Sequence, residues 1–351
     1  MSLRALRLCV RPLSSEQADI KQLTLRAMSY TDNKFGQVSA IRHFPRQSES
    51  RAMLRWTVIV VCVCATSGAW GDDEAACHEL KNAGATIVRD ESQPGAPIRL
   101  VKYPLRLVTL QGLRALKEME VLPAIEFIGS GGTEITPATL RALQGKPALK
   151  RLSISLASIG DDSARILPTL KSLEAVDLRS QVESSPLGLQ ELFRMHHLQE
   201  LSLSDRLVTD EVLQDLAKLP NLRVLNLRSL FVTDAGLASL RRLHGLQSLR
   251  ITLTENVTQA GRNQLAEMKL RYLEITSFNA TDREIKDLGR LTSLRKLRLI
   301  NAVNITGAAI PCFAEMTNLK ELEVLGATLS TSDVKRLKTD LPNCQVTLGR
   351  Q

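Results

Sequence analysis

The stretch Asn221–Leu249 reads NLRVLNLRSLFVTDAGLASLRRLHGLQSL. It opens with the pattern L-x-x-L-x-L, which starts at Leu222, and continues with a Val-Thr-Asp turn. Apolar residues at helical spacing follow from Leu237. The same pattern begins again at Leu246, 24 residues after Leu222. A fixed period of this length predicts a chain built from stacked, similar units.

Units of this kind can be counted through most of the chain. Six of the ten intervals between their first residues are 24 residues long and two are 25. The 27-residue interval contains the glycine-rich segment 129–132, an insertion that leaves the register intact, and the last interval is 22. The spacing predicts about ten to eleven repeats over residues 98–351. Their first residues are Ile98, Leu122, Leu149, Leu173, Leu198, Leu222, Leu246, Leu270, Leu294, Leu319 and Leu341.

Each unit is predicted to contain one strand and one helix. Leucines alternate with polar residues in segments such as Leu201–Leu203, which is the period of a strand with one buried face. In the turn that follows, a threonine such as Thr233 is suited to cap a helix, and Asp234 favours the first helical turn through the helix dipole. The predicted fold is therefore α/β, a leucine-rich repeat solenoid or horseshoe. Its parallel strands should line the concave face and its helices the convex face.

The repeats resemble those of bacterial leucine-rich repeat proteins of the V-T-D-x-G-L type, and VTDAGLASLRRL at 232–243 is the clearest instance. They are similar in form to ribonuclease-inhibitor-like and F-box-associated arrays, but no F-box segment precedes them, which argues against a ubiquitin-ligase role. Such repeats often carry Asn or Cys at the ninth position. Here that position holds Arg206, Leu230, Thr254, Phe278, Ala302 and Ala327. The turn after each strand must therefore satisfy its backbone without an asparagine ladder.

The segment before the repeats has three predicted parts. Residues 1–52 hold nine Lys/Arg and four Asp/Glu, more than half of the net charge of +9, and show no repeat. They are predicted to be an unstructured leader, with an organellar transit peptide as an alternative. Residues 53–71 have the form of a secretory signal peptide, with a positive start, an apolar run and small residues at the end. Residues 72–97 are predicted to cap the solenoid.

An internal signal peptide is unusual, and the simplest interpretation is that translation starts at Met53 and that residues 1–52 are not made. A retained signal anchor is the alternative, although the apolar run of about 15 residues is shorter than the roughly 20 that span a bilayer as a helix. We therefore expect export to the periplasm, cell envelope or medium, with no stable transmembrane span in the mature chain. An organellar or cytoplasmic location is expected if residues 1–52 are a real leader.

No set of residues indicates catalysis. The sequence contains no nucleophile elbow and no phosphate-binding loop, and no Cys-x-x-Cys pair or histidine cluster suggests zinc. Loss of the first 71 residues would leave Cys77, Cys312 and Cys344. Cys344 is expected in the core, and Cys312 is expected on a helix two repeats earlier, too far along the solenoid for an easy disulfide. The chain is therefore predicted to be a non-enzyme with no catalytic residues, cofactor or metal.

The concave face is the surface that the sequence marks for binding. The fifth position of each repeat points away from the core, and these positions alternate in charge in the later repeats. Tyrosine beside arginine is a pairing that energetic hot spots favour. The predicted partner site is Arg228, Arg250, Tyr272, Glu274, Lys296 and Arg298; the alternative is a self-neutralised, solvated sheet face. The fifth-position column reads Lys102, Glu126, Ser153, Asp177, Ser202, Asn226, Arg250, Glu274, Arg298, Glu323 and Gln345.

These observations predict a non-catalytic scaffold that binds a protein or peptide on the concave face. One alternative is recognition of an anionic polysaccharide or surface polymer through the basic concave residues Arg228, Arg250, Lys296 and Arg298. Another is a purely structural envelope component. Nucleic acid is not expected as a partner, because the excess positive charge lies mainly in residues 1–52. The oligomeric state is left open.

Overall fold

The computed structural model describes residues 73–130, 132–179, 186–204, 208–228, 230–277 and 281–349. The chain divides into two units, Met1–Gly71 and Asp72–Gln351, and all described residues belong to the second. The predicted leader and signal peptide lie outside the described residues. Among the described helices, none has the length and apolar composition that crossing a membrane requires.

One sheet of 12 strands runs through the described unit, and two short strands, β4 and β6, form a separate pair. β1 is antiparallel to β2, and every other pairing in the long sheet is parallel. The strands are β1 (Thr86–Arg89), β2 (Ile98–Pro104), β3 (Ala124–Ile128), β4 (Glu134–Ile135), β5 (Arg151–Ser155), β6 (Ser158–Ile159), β7 (Ala175–Arg179), β8 (Glu200–Leu203), β9 (Val224–Leu227), β10 (Ser248–Leu253), β11 (Tyr272–Ser277), β12 (Lys296–Ile300), β13 (Glu321–Leu325) and β14 (Gln345–Gly349).

Helices connect the successive strands of the long sheet and supply the other layer of the solenoid. Three 3-10 turns accompany them, at Leu105–Leu107, Leu167–Thr169 and Gly307–Ala309. The helices are α1 (73–82), α2 (Leu110–Glu118), α3 (Pro137–Arg141), α4 (Asp161–Ala164), α5 (Pro186–Leu192), α6 (Asp210–Leu216), α7 (Asp234–Leu240), α8 (Gln259–Ala266), α9 (Asp282–Leu288), α10 (Ile310–Ala314) and α11 (Thr331–Asp340).

Equivalent positions of neighbouring repeats lie side by side in the sheet. Leu225, Leu249, Leu273 and Leu297 are paired in this way across four strands, and each is fully buried. A single leucine position thus fills one layer of the core in repeat after repeat, which is how a solenoid buries apolar area without a central globular core. The prediction of a leucine-rich repeat solenoid with parallel strands on one face and helices on the other is confirmed.

The register of the last repeat was predicted wrongly. Glu321 pairs with Gln345 and Leu322 with Val346, so the last repeat begins at Asn343, 24 residues after Leu319, and not at Leu341. Thr347 therefore occupies the fifth position that was assigned to Gln345. Leu341 is the leucine nearest to the position where the spacing predicts the first residue of the last repeat, and this explains the wrong prediction. It instead ends helix α11 as its buried C-cap.

The threonines in the turns cap helices in only some of the repeats. The hydroxyl oxygens of Thr233, Thr258 and Thr306 each accept a hydrogen bond from the backbone N–H two residues later, as predicted. Thr281 forms a capping box with Glu284, whose carboxylate accepts from the hydroxyl of Thr281 and, at 2.7 Å, from its backbone N–H. Thr209 makes no side-chain cap hydrogen bond, and its hydroxyl donates to the carboxylate of Glu211.

The aspartate that follows the threonine joins one repeat to the next. Asp210 accepts from the backbone N–H of Thr233 at 2.9 Å and from its hydroxyl at 2.5 Å. Asp234 does the same for Thr258, at 2.8 and 2.5 Å. Asp282 repeats the arrangement with Thr306, at 2.8 and 2.6 Å. This aspartate-to-threonine ladder satisfies the turn backbone in the absence of an asparagine ladder.

The ladder also explains the glycine of the V-T-D-x-G-L motif. A Cβ atom on Gly236 would lie 2.3 Å from Asp210 Oδ1, and one on Gly261 would lie 2.2 Å from Asp234 Oδ1. Both glycines lie in the first turn of a helix, where they have ordinary backbone angles. Glycine is therefore required at these positions for space and not for a special backbone conformation.

The ladder is interrupted after the repeat that carries Gln259 in place of the aspartate. Arg262, which stands where the previous repeat has Leu237, donates from Nε to Asp287 Oδ2 at 2.9 Å and from Nη1 to the carbonyl of Val257 at 3.0 Å. Gln259 also donates to Asp287, at 3.1 Å. The side chains of Arg262 and Asp287 are only 11% and 8% exposed. A nearly buried ion pair thus connects α8 to α9.

Candidate functional site

The side chains of the predicted site lie on the open face of the sheet. In β10, Leu249 and Ile251 are buried and Arg250 between them is exposed. Strand pairing places Arg250 beside Glu274, Glu274 beside Arg298 and Arg298 beside Glu323. Opposite charges therefore alternate from strand to strand at the fifth position of the repeat.

Glu274 lies at the centre of this surface and is only 7% exposed. Its Oε2 atom accepts from the hydroxyl of Tyr272 at 2.6 Å. Arg250 Nε lies 3.4 Å from the same carboxylate oxygen, and Arg298 Nη1 lies 3.3 Å from it. One carboxylate thus holds a phenol and two guanidinium groups, which is how a buried charge is normally compensated.

The aromatic ring of Tyr272 is flanked by two cations. The guanidinium carbon of Arg250 lies 5.3 Å from the ring centroid, and the ammonium nitrogen of Lys296 lies 6.0 Å from it. Both distances are within the range of cation–π attraction. With its hydroxyl bonded to Glu274 and its faces near two cations, the ring of Tyr272 has little freedom to change rotamer.

Acidic side chains on β13 complete the surface. Lys296 Nζ lies 2.6 Å from Glu321 Oε2, and Arg298 Nε lies 2.9 Å from Glu323 Oε2, an ion pair without hydrogen-bond alignment. The three basic residues of the cluster, Arg250, Lys296 and Arg298, are therefore each paired with a glutamate. The cluster carries three positive and three negative charges and is neutral as a whole.

The ionisation of two groups follows from these contacts. Burial and the hydrogen bond to Glu274 raise the pKa of the Tyr272 phenol above its ordinary value of 10.0. The hydrogen bond to Glu321 raises the pKa of Lys296 above 10.5. Tyr272 is therefore a hydrogen-bond donor, and Lys296 a cation, at physiological pH.

Arg228 is the one predicted residue that does not join the cluster. It lies one residue beyond the end of β9, is exposed, and has no ion pair with any residue in the described ranges. The structure therefore brings together five of the six predicted residues, namely Arg250, Tyr272, Glu274, Lys296 and Arg298.

The sequence predicted only part of a second charged cluster on the same face, namely Lys102, Glu126 and Asp177 but not Arg179. Arg179 Nε lies 3.0 Å from Asp177 Oδ2, and Arg179 Nη2 lies 3.5 Å from Glu126 Oε1. Lys102 Nζ lies 3.6 Å from the other carboxylate oxygen of Glu126. Asp177 Oδ1 is buried without a hydrogen-bond partner among the described residues, and burial raises the pKa of this carboxyl. The i, i+2 spacing of Asp177 and Arg179, which places both on one face of a strand, was the available signal.

Groups suited to redox or metal chemistry are few in this part of the chain. Cys77, Cys312 and Cys344 are free thiols, and burial raises the pKa of each. Cys344 immediately precedes β14 and packs against the core, but it is only partly buried, so its predicted place in the core is confirmed only in part. In the described residues, no three or more His, Cys, Asp or Glu side chains are grouped so that they could hold a metal ion.

No family model and no curated protein matches the chain. Similar solved structures include internalin C2 of Listeria monocytogenes, with 25% identity, a TM-score of 0.42 and coverage of 61% of this chain and 84% of that chain. The internalin inlF of the same species has 18% identity, a TM-score of 0.41 and coverage of 72% and 89%. TLR13, in a complex with ssRNA13, has 19% identity and a TM-score of 0.46, with coverage of 67% of this chain and 37% of TLR13. The 24-residue unit and the in-register parallel sheet described above give this chain the leucine-rich repeat fold.

Proposed function

We propose that this chain is a non-catalytic scaffold that binds a protein or peptide on its concave face. The observation that supports the proposal best is the arrangement of Tyr272 and Arg250 around the buried carboxylate of Glu274. Tyrosine and arginine are the residues that dominate protein interfaces energetically. Because both side chains are already held in place, a partner that contacts them loses little side-chain entropy on binding.

The neutral cluster favours a partner that offers both hydrogen-bond donors and acceptors. Arg250 donates from Nε to the Tyr272 hydroxyl, and Arg298 donates from Nη1 to Glu274, so each guanidinium retains further N–H groups. The glutamates on β13 are exposed enough to accept further bonds. A polypeptide backbone with polar side chains supplies both kinds of group. The charged groups of an anionic polysaccharide are acceptors only, and they would meet the carboxylates of Glu274, Glu321 and Glu323 as well as the cations. The concave face therefore suits a polypeptide better than the anionic polysaccharide considered from the sequence.

The place of action that we propose is the periplasm, cell envelope or extracellular medium. This part of the proposal rests on the signal-peptide form of residues 53–71 and on the absence of a catalytic set in the sequence. An exported binding scaffold needs only a stable, extended surface, and the repeats supply one.

The proposal is tested by partner capture with matched variants of the full chain. The double variant Tyr272→Ala/Arg250→Ala should weaken binding of a captured and purified partner by about 30-fold or more, since hot-spot truncations cost about 2 kcal/mol or more. The control is Arg114→Ala/Arg141→Ala, which removes two exposed arginines from helices α2 and α3. Equal affinity of the wild type and the Tyr272/Arg250 variant would show that the site lies elsewhere.

A further inference from the structure

The edge of the sheet where the strands begin carries a regular row of side chains. The second residue of each repeat lies there, and a backbone ladder fixes the row. The N–H of Gln247 donates to the carbonyl of Arg223 at 2.9 Å, and those of Arg271, Arg295 and Lys320 each donate at 2.8 Å to the carbonyl of the residue one repeat earlier. We name the row Arg223, Gln247, Arg271, Arg295 and Lys320 the basic edge.

The four cations of the basic edge are exposed, and none has an ion pair with a residue in the described ranges. Two carboxylates in the adjoining segments are already engaged. Glu321, the residue after Lys320, is paired with Lys296, and Glu267 is paired with Arg241 at 2.9 Å. The basic edge therefore differs from the concave face, where every cation of the central cluster has an acidic partner.

The run of neighbouring unpaired cations lies in the later repeats, because the exposed Arg99 at the start of the row is followed by Pro123. In the earlier repeats the same row contains Lys150, Glu174 and Gln199, linked by the same backbone bonds. Lys150 Nζ lies 2.8 Å from Glu174 Oε1, so that part of the edge is neutralised within the protein. From Arg223 to Lys320 the row contains no acid. The arrangement makes a linear positive strip that is about one residue wide.

We propose that the basic edge binds a linear anionic polysaccharide. Strands in a sheet are about 4.8 Å apart, so the five positions span roughly 19 Å with a cation at four of them. A chain of sugars that carries carboxylate or sulfate groups at regular intervals matches such a strip in shape and charge. The strip lies at the edge of the sheet, so the proposal does not depend on polypeptide binding by the concave face.

The chemistry of the edge favours a polysaccharide over other polyanions. Proteins that hold single-stranded nucleic acid combine a basic groove with aromatic side chains that stack on bases. The helix-to-strand connections that flank the basic edge, residues 217–223, 241–247, 267–271, 289–295 and 315–320, contain no Phe, Tyr or Trp. Amphipathic membrane-surface elements combine cations with apolar groups that enter the bilayer interface. The exposed large apolar side chains among the described residues all lie outside these five connections.

The test measures the affinity of the full chain for a fluorescently labelled heparin fragment at several NaCl concentrations. Arg271→Glu/Arg295→Glu should weaken binding by about tenfold or more at low salt, because two attractive contacts become repulsive. Arg114→Glu/Arg141→Glu makes the same change of net charge on the helical side and should change the affinity by less than about twofold. All four residues are exposed, and circular dichroism of each variant checks that the fold is kept.

Three further measurements make the result decisive. Tyr272→Ala/Arg250→Ala should bind heparin as the wild type does, which separates this site from the concave face. A labelled oligo-dT and vesicles containing phosphatidylserine should bind more weakly than heparin at the same salt concentration. The proposal is overturned if the wild type does not bind heparin, if both charge-reversal variants lose binding equally, or if oligo-dT or vesicles bind more tightly through the same arginines.

Discussion

At the scale of single residues, the V-T-D-x-G-L motif describes contacts between repeats as much as a helix start. The aspartate bonds to the threonine of the following repeat, and the glycine leaves room for the aspartate of the preceding one. Motif residues of neighbouring repeats, such as Asp210 and Thr233 or Asp234 and Gly261, are therefore coupled energetically, and this coupling can be measured.

The coupling predicts a non-additive double-mutant cycle. Asp234→Ala should lower the free energy of unfolding by about 1–3 kcal/mol, because the N–H and hydroxyl of Thr258 lose their acceptor. Gly261→Ala alone should lower the free energy of unfolding by about 1–3 kcal/mol, because the new methyl group collides with the Asp234 carboxylate. In the Asp234→Ala background, Gly261→Ala should change the free energy of unfolding little. The Asp234 carboxylate is then absent, and alanine has a higher helix propensity than glycine.

Chemical denaturation of the four proteins measures the cycle. Gly245→Ala is the control, because the nearest atom to its new Cβ would be the Leu222 carbonyl oxygen at 3.5 Å, an ordinary contact. Additive costs for Asp234→Ala and Gly261→Ala would contradict the proposed coupling.

Tyr272 provides a spectroscopic test of the candidate site. Its phenol should ionise above pH 10.0, because burial and the bond to Glu274 both disfavour the phenolate. Glu274→Gln should lower this pKa by removing the adjacent negative charge. Since the folded-state pKa is raised, the contribution of Tyr272 to stability is complete below pH 10 and is lost as the pH rises through the folded-state value. Ultraviolet titration of the wild type against Tyr272→Phe isolates the signal, and an ordinary pKa for Tyr272 would refute the described contacts.

At the scale of elements, helices α8 and α9 are joined by a nearly buried ion pair where the aspartate ladder is interrupted. Asp287 receives bonds from Arg262 and Gln259, and Glu284 Oε1 lies 3.5 Å from Arg262 Nη2. The side chains of Arg262 and Asp287 are 11% and 8% exposed, whereas Gln259 is exposed. Removal of one partner should therefore be more costly than removal of the pair.

We expect Asp287→Ala to lower the free energy of unfolding by about 3 kcal/mol or more, because Arg262 is left largely buried without its main partner. Arg262→Leu/Asp287→Ala should recover most of the loss, since leucine is the residue at the equivalent position 237. The exposed pair Arg165–Asp162 is the comparison, and Asp162→Ala should cost less than about 1 kcal/mol. A double variant as unstable as Asp287→Ala would show that the site cannot accommodate leucine.

At the scale of the whole molecule, the repeats form one sheet whose first edge is occupied by the antiparallel strand β1. Helix α1 precedes it, and Asp73 in this helix accepts hydrogen bonds from the N–H groups of Glu120 and Val121, at 2.8 and 3.1 Å. We propose that residues 72–97 act as the N-terminal cap, because these elements cover the apolar end of the first repeat.

Export predicts a particular mature mass. If residues 53–71 are a cleaved signal peptide, the protein recovered from its native host should begin near Asp72 and be found outside the cytoplasm. Intact-mass spectrometry of fractionated cells measures both properties. A cytosolic or organellar chain that retains residues 1–52 would contradict export and would make the basic leader a targeting element.

Much of the fold could be predicted because the same pattern of residues occurs in unit after unit of the chain. Leucines at a fixed spacing predicted the strands, the parallel sheet and the alternation that places Arg250, Glu274 and Arg298 on one face. A single irregular unit has no such redundancy. The register of the last repeat was therefore misplaced by two residues, and the burial of Cys344 was overestimated.

The sequence by itself determined the solenoid, the face on which each strand residue lies and the candidate residues on that face. Only the tertiary structure decided which charges are paired, because an ion pair depends on distances between side chains of different repeats. It showed that Arg250, Lys296 and Arg298 on the concave face are paired with glutamates. Within the described ranges, the cations of the basic edge, Arg223, Arg271, Arg295 and Lys320, have no such partner. It also showed that the motif aspartate acts across the repeat boundary, since stacking brings residues 24 positions apart into hydrogen-bonding contact.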